Sequence, residues 1–361
     1  MPNILMHELV HIVLHPLSGC NYYDAASDDV QLDTYSIDKR RWVSAVGTYK
    51  REVRLVKLPN VLRLVRQHFN CPTLDGVEVD TTKDTPEKIN HDRLAFAHFE
   101  ARLFPDSLLS PYYLEGNVVT KLEIALFVDS GWYVVNESLG RPLTVTRGKG
   151  CEFATMSCYE YMNKYKFDPV KIYPYCTAAE KDKWMCSLDG RRASYCLGSY
   201  YHEDDIHDAY KLKDGFVGYN YFTYCPMIVP KTLEDSSPYC DFSENVDFRS
   251  VGSYGGSPFQ SMCLRFPYLS VFSSKWHCPL SFHSSPVGVC VKFSCRPNGI
   301  LFEFAGRRFF CLATQGGRKF SHNTRSKPYG CFMKFEFCCP DFAMCSKNTT
   351  YQFTKESLNM C

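Results

Sequence analysis

The sequence predicts an α+β chain in two unlike parts, residues 1–135 and residues 136–361. Three observations lead there. An apolar stretch with histidines four apart opens the chain, a second apolar helix precedes Gly131, and cysteine is crowded into the residues beyond that helix. Of 19 cysteines, only Cys20 and Cys71 precede residue 136. Helices gathered in one part and short, turn-rich segments in the other indicate segregated helix and sheet rather than alternating β and α units.

Residues 4–15 are mostly apolar, and His7 and His11 at i and i+4 fall on one helical face; Pro16 and Gly19 end that helix. The stretch "VRLVKLPNVLRLVRQHF" predicts a helix broken near Pro59, and "DTTKDTPEKINHD" a polar loop. Within "EGNVVTKLEIALFVDSGWY", the apolar residues Val118, Leu122, Ala125, Leu126 and Val128 predict a buried helix that stops at Gly131. Trp132 and Tyr133 are expected to pack just beyond it. From Cys151 onward the segments are short and turns frequent, which predicts a β-rich, loop-rich, disulfide-bonded part.

Composition excludes several classes. A net charge of +2 without any block of like charges gives no footprint for nucleic acid. The 24 Tyr and 26 Phe belong to a folded chain rather than a disordered one. No apolar run is long enough to span a membrane, and the ending "KESLNMC" is not a lipid-anchor tail. Neither Cys151/Cys158, Cys290/Cys295 nor Cys338–Cys339 forms the paired C-x-x-C of a zinc ribbon. The cysteines therefore predict disulfides made in an oxidising compartment, so an extracellular or cell-surface protein, with one cysteine left over from the odd count. Two sequons agree with this, Asn136-Glu137-Ser138 and Asn348-Thr349-Thr350. No signal peptide precedes them, since Met1–Met6 is too short and uncharged. A secreted-looking body without one reads as a chain whose beginning is missing.

The chemistry lies in "MHELVHIVLHPLSGC", which contains H-E-x-x-H. On a helix, His7 and His11 can hold one metal ion while Glu8 sits beside it. Zinc suits two imidazoles and one more protein ligand, and a carboxylate at Glu8 can take the proton of a metal-activated water. The bland reading is a pair of core or surface histidines. His15 is a poor third ligand, because it lies about 80° around the helix from His7 and further along its axis. His68, His91 and His98 remain, and spacing alone does not choose among them. "YYHEDDIHDAY" lacks the ligand spacing of a calcium loop and reads as a solvated acidic loop.

The ordered segments "HELVH", "QHFNCPTLDGVEVD", "AHFEARLFPDSLLSP", "KLEIALFVDSGWYVV" and "RGKGCEFATMSC" together resemble the leishmanolysin family of metzincin zinc endopeptidases. Later stretches, "YCPMIVP", "GVCVKFSC", "FEFAGRRFFCL" and "YGCFMKFEFCCPDFAMC", look like that family's cysteine-rich C-terminal part. The resemblance implies a metzincin-like catalytic remnant over 1–135, the active-site helix with the C-terminal subdomain, followed by a cysteine-rich domain over 136–361. It also implies that the third histidine is His98, in "AHFEAR". The implied activity is hydrolysis of peptide bonds in proteins or peptides, with one catalytic Zn²⁺ held by His7, His11 and His98 and Glu8 as general base.

Three departures from the family pattern stand out. Leu14 occupies the position of a family glycine three residues past His11; glycine leaves a helix through a left-handed conformation that leucine resists by about 1–2 kcal/mol. Leu109 stands where metzincins carry a methionine beneath the metal, and leucine keeps such a floor apolar. The subdomain that family members have before the zinc helix is not in the sequence, so the chain reads as the C-terminal two-thirds or so of a protease. Two further features have competing readings. Glu100 is expected to be a structural carboxylate paired with Arg102 or another base, and Tyr112 and Tyr113 to be packing aromatics rather than oxyanion donors. A rival of another class is a non-catalytic secreted or surface binding protein that keeps the fold and its disulfides.

Overall fold

Pro59 decides where the first long helix begins. The computed structural model describes residues 9–10, 22–23, 30–31, 35–80, 98–111, 119–181, 183–187, 190, 192–200, 206–213, 215–230, 240, 261–266, 268–272, 282–284, 287–304, 307–315, 318–325, 332–339 and 345. In it, the expected broken helix over 53–69 is half strand. Strand β1 (Tyr35–Val43) pairs antiparallel with β2 (Thr48–Val56), from Tyr35 opposite Val56 to Val43 opposite Thr48. Helix α1 (Pro59–Phe69) starts only afterwards, with proline in its first turn, where a missing N–H costs nothing. Val53, Leu55, Val56 and Leu58 fit either period, and the proline breaks the tie in favour of a strand before it. A two-residue strand, β3 (Val77–Glu78), adds to β2 with Leu55 opposite Glu78.

The expected buried helix is present as α2 (Lys121–Ser130). Thr120 caps it, with Glu123 completing a capping box, and Gly131 ends it at φ 66°, a conformation that suits glycine. Trp132 and Tyr133 do not pack as expected: both are largely exposed, although Tyr133 sets its ring edge-on to Phe127 at 5.5 Å. They fall past the αL turn, where the chain has already left the core.

Helix α1 has no capping side chain of its own at Leu58. Asp129 of α2 supplies one from a distance, its Oδ1 accepting from the Asn60 backbone N–H at 3.0 Å and its Oδ2 from the Val61 N–H at 2.9 Å. A carboxylate there also meets the positive end of the helix dipole. Two short helices come next, α3 (Gly150–Thr155) and α4 (Cys158–Lys164). Phe69, Phe99, Phe104 and Phe153 are wholly buried, and adjoining ring pairs lie 5.6–6.2 Å apart. Disulfides Cys71–Cys151 and Cys158–Cys225 close this unit.

The packing divides the chain into two compact units. The first comprises 1–166, 174–178 and 197–227, and the second 167–173, 179–196 and 228–361. The second is β-rich. Strands β4 (Trp184–Cys186), β5 (Ala193–Leu197) and β6 (Met227–Pro230) form a small sheet in the order β6-β5-β4. Strands β7 (Ser261–Phe266), β8 (Tyr268–Phe272), β9 (Phe282–Ser284), β10 (Val287–Arg296), β11 (Gly299–Phe304), β12 (Arg307–Leu312), β13 (Lys319–Arg325) and β14 (Phe332–Cys338) make two four-stranded antiparallel sheets. Their orders are β7-β10-β11-β12 and β9-β8-β14-β13. Side chains of both sheets share one core built on Phe266, Phe302, Phe304, Phe335 and Phe337. Cys186–Cys263, Cys240–Cys290, Cys295–Cys345 and Cys311–Cys339 bond this unit, as the crowding of cysteine predicts. The chain is thus α+β and disulfide-rich.

Candidate metal centre

Of the residues that the sequence assigns to chemistry, His7, Glu8 and His11 lie outside the described residues, as do Leu14, His15, His91, Tyr112 and Tyr113. Between Glu8 and His11, Leu9 and Val10 are helical, with Leu9 exposed and Val10 buried. Among the described residues, no group of three or more His, Cys, Asp or Glu side chains is arranged to hold a metal ion.

His98 is described, and its surroundings are informative. It is half-buried, on an extended stretch held from two sides. On one side its carbonyl accepts from the Asp80 N–H at 2.9 Å, Phe99 bridges Val79, and the Glu100 N–H donates to the Glu78 carbonyl at 3.1 Å. On the other side the Phe99 N–H donates to the carbonyl of Leu109 at 2.9 Å. The residue at the expected apolar floor is therefore bonded to the neighbour of His98, and it is itself buried. Leu109 is fixed in turn by α2: its N–H donates to Oε1 of buried Glu123 at 3.1 Å, and the Ser107 hydroxyl donates to the same oxygen. Burial pushes the Glu123 carboxyl up.

Beneath this stretch lies an ionic cluster that reading the sequence missed. Glu78 accepts from Arg102 at 2.7 Å and Arg40 at 3.0 Å on Oε2, and from Arg51 at 2.5 Å on Oε1. All four side chains are buried. Burial alone would raise the Glu78 pKa, but the guanidiniums of Arg102, Arg51 and Arg40 outweigh it and hold the carboxyl at about 2. Trp42 lies under two of them, 4.5 Å from Arg51 and 5.2 Å from Arg102. A signal was available in "REVRL": Arg51 shares its strand face with Val53 and Leu55, so it points inward with them.

Glu100 is buried, and the base beside it is Arg51 rather than the Arg102 guanidinium. Arg102 goes to Glu78, while Glu100 Oε1 accepts the hydroxyl of Thr223 at 2.8 Å and Arg51 Nη2 stands 3.8 Å from Oε2. Oε2 has no hydrogen-bond partner among the described residues. Burial first and the charge of Glu78 second raise the Glu100 pKa to about 7. His68, one of the alternative ligands, is a buried helix residue whose Nε2 lies 2.8 Å from Thr146 Oγ1. Because that hydroxyl gives its proton to the Leu103 carbonyl at 2.7 Å, the imidazole is the donor in the pair. Burial holds His68 at about 4, with Asp106 opposing and Arg147 assisting.

Mixed helix and sheet held by many disulfides define a disulfide-stabilised α+β protein. A family model for leishmanolysin matches residues 4–305, and the chain belongs to that family of zinc metallopeptidases. It is 27% identical over 225 residues to the leishmanolysin-like peptidase of Drosophila melanogaster, covering 57% of this chain and 32% of that protein. Identity to the Caenorhabditis elegans leishmanolysin-like peptidase is 26% over 161 residues, which is 45% of this chain and 23% of that one. To the ciliated left-right organizer metallopeptidase of Danio rerio it is 28% over 152 residues, 41% and 23% respectively. The matched segments thus span a third or less of each relative. Three imidazoles with one adjacent carboxylate, the set the sequence leads one to expect at His7, His11, His98 and Glu8, suit zinc by their chemistry. Of these only His98 is described, and it stands on a backbone held by its neighbours. No helix among the described residues is long and apolar enough to cross a membrane.

Proposed function

We propose that the chain carries the zinc site of a secreted or cell-surface metalloendopeptidase acting on proteins or peptides, with His7, His11 and His98 as ligands. Bound Zn²⁺ supplies Lewis acidity, bringing a water to a pKa near neutrality and polarising a peptide carbonyl. Glu8 accepts the proton of the attacking water and returns it to the leaving amine nitrogen. His98 brings the ligand from a distant part of the chain, and the pairing of 98–100 with 78–80 and of Phe99 with Leu109 keeps it from drifting. What supports the reading most is H-E-x-x-H inside the family match, with the His98 stretch held directly against the apolar residue expected beneath a metal.

The test is zinc content by mass spectrometry together with casein cleavage, on the full oxidised chain. Glu8→Gln is expected to keep zinc and lose cleavage by about 10²–10⁴-fold; His98→Ala is expected to lose both. Unchanged cleavage in Glu8→Gln, or full zinc occupancy in His98→Ala, refutes the assignment. The competing reading, a non-catalytic binding protein on the same frame, is favoured by Leu14 in place of a helix-ending glycine, and it predicts a native chain that retains no zinc.

A further inference from the structure

We propose that Asn136 is an N-glycosylation site and that its glycan covers an exposed apolar loop. The loop itself is the first ground. After the αL turn at Gly131 the chain presents Trp132 at 47% exposure, Tyr133 at 44%, Val134 fully exposed and Leu139 at 70%. Aromatic rings and aliphatic side chains gathered in so short a water-facing segment form an unusual surface, and such patches ordinarily have something that covers them.

The sequon sits inside this loop and is itself exposed. Asn136 Oδ1 accepts two hydrogen bonds from Ser138, one from its backbone N–H at 3.1 Å and one from its hydroxyl at 2.7 Å. Both donors fall on the carbonyl oxygen, so neither bond takes up the amide nitrogen of this exposed residue. The turn thus holds the hydroxyl and the acceptor amide of the sequon together in one local arrangement, on a short 3₁₀ segment (Glu137–Leu139) with no residue buried. The disulfides imply the compartment in which such sequons are modified.

In the reaction, the Asn136 side-chain nitrogen attacks C1 of an oligosaccharide carried on a lipid diphosphate. A C1–N bond forms as the C1–O bond to the diphosphate breaks; the diphosphate leaves with the electron pair and the amide nitrogen loses one proton. No electron acceptor is needed. The apolar faces of the first sugars can then lie against Trp132, Val134 and Leu139, as pyranose rings do against aromatic and aliphatic groups.

This inference rests on the secretory location proposed above, and the experiment separates the two. The full chain, with a secretion signal added, is expressed in a eukaryotic host, and the recovered protein is digested with peptide-N-glycosidase in H₂¹⁸O before peptide mapping. Conversion of Asn136 to ¹⁸O-labelled aspartate is expected, lost in Asn136→Gln and in Ser138→Ala and kept in Ser138→Thr. An unlabelled Asn136 on a secreted, disulfide-bonded chain overturns the site. Recovery of the chain with Cys71, Cys151, Cys158 and Cys225 as free thiols would instead refute the secretory reading. Trimming the glycan from native protein is expected to raise binding of an apolar fluorescent dye, by an amount that Trp132→Ser largely removes. Unchanged dye binding overturns the covering role.

Discussion

Replacing Glu78 by glutamine preserves the shape of the ionic cluster and removes the charge that three guanidiniums share. Arg40, Arg51 and Arg102 all reach Glu78 at 2.5–3.0 Å, and the carboxyl is buried with them. Two routes give the magnitude. Breaking a buried ion pair by neutralising one partner costs about 3–5 kcal/mol, because the remaining charge stays buried. Linkage gives a similar figure: a carboxyl held at about 2 instead of 4.5 contributes about 3 kcal/mol at neutral pH. The depressed pKa makes that contribution present above pH 4.5 and lost as pH falls towards 2. The assay is guanidinium unfolding without reductant, followed by the fluorescence of buried Trp42, which lies against Arg51 and Arg102. Glu160→Gln serves as the control, since its 2.9 Å pair with Arg41 lies at the surface, with Arg41 exposed and Glu160 half-buried, and surface pairs contribute about 0–1 kcal/mol. If Glu78→Gln loses no more stability than Glu160→Gln, the cluster is not what holds this unit together and the reasoning fails.

Other perturbations have equally definite outcomes. His68 is neutral in the fold down to about pH 4, so its contribution is complete above pH 6.5 and falls by about 3 kcal/mol as pH drops to 4. Glu100, raised to about 7, has the opposite sign: its contribution is present below pH 4.5 and lost as pH rises through 7. Denaturant midpoints should therefore rise more steeply with pH between 4.5 and 6.5 in Glu100→Gln than in the native protein; an unchanged slope would contradict the Glu100 assignment. Asp129→Ala removes the borrowed cap of α1 and is expected to cost about 1–2 kcal/mol in thermal or chemical unfolding, well above an exposed Asp→Ala elsewhere. The double change Cys71→Ser and Cys151→Ser opens a bridge between residues 80 apart in sequence and is expected to cost about 4 kcal/mol, read from the same curves.

Much of the frame was legible because its signals are local. Thr120 and Glu123 stand three apart as a capping box, and Gly131 comes directly after the last apolar turn, so the helix before it can be read directly. The disulfide-bonded β-rich part was announced by where the cysteines fall. The stretch before Pro59 was not legible, since Val53, Leu55, Val56 and Leu58 satisfy two periods and only pairing with Tyr35–Val43 selects the strand. The ionic cluster was legible only in pieces, for a different reason. Glu100 and Arg102 are neighbours, but Arg40, Arg51, Glu78 and Thr223 come from separate segments, and no spacing rule connects charges that meet only through the fold. In the candidate site, H-E-x-x-H is a local pattern, whereas the role given to His98 came from family resemblance because no local rule reaches across its distance from His11.

The contact between Thr223 and Glu100 also bears on when the protein becomes able to hold a metal. The hydroxyl that supports the stretch after His98 is 123 residues downstream of the carboxylate it meets, and Cys225, which locks that segment to Cys158, lies two residues further on. At about 5–20 residues per second, a ribosome takes roughly ten seconds to travel that far. During that interval His98 already has its backbone neighbours Glu78–Asp80 and Leu109, but Glu100 still lacks the hydroxyl that meets it. On the reading proposed here, the ground beneath the metal site is therefore completed late in biogenesis, after the chain has grown past Cys225 and its second bridge has closed.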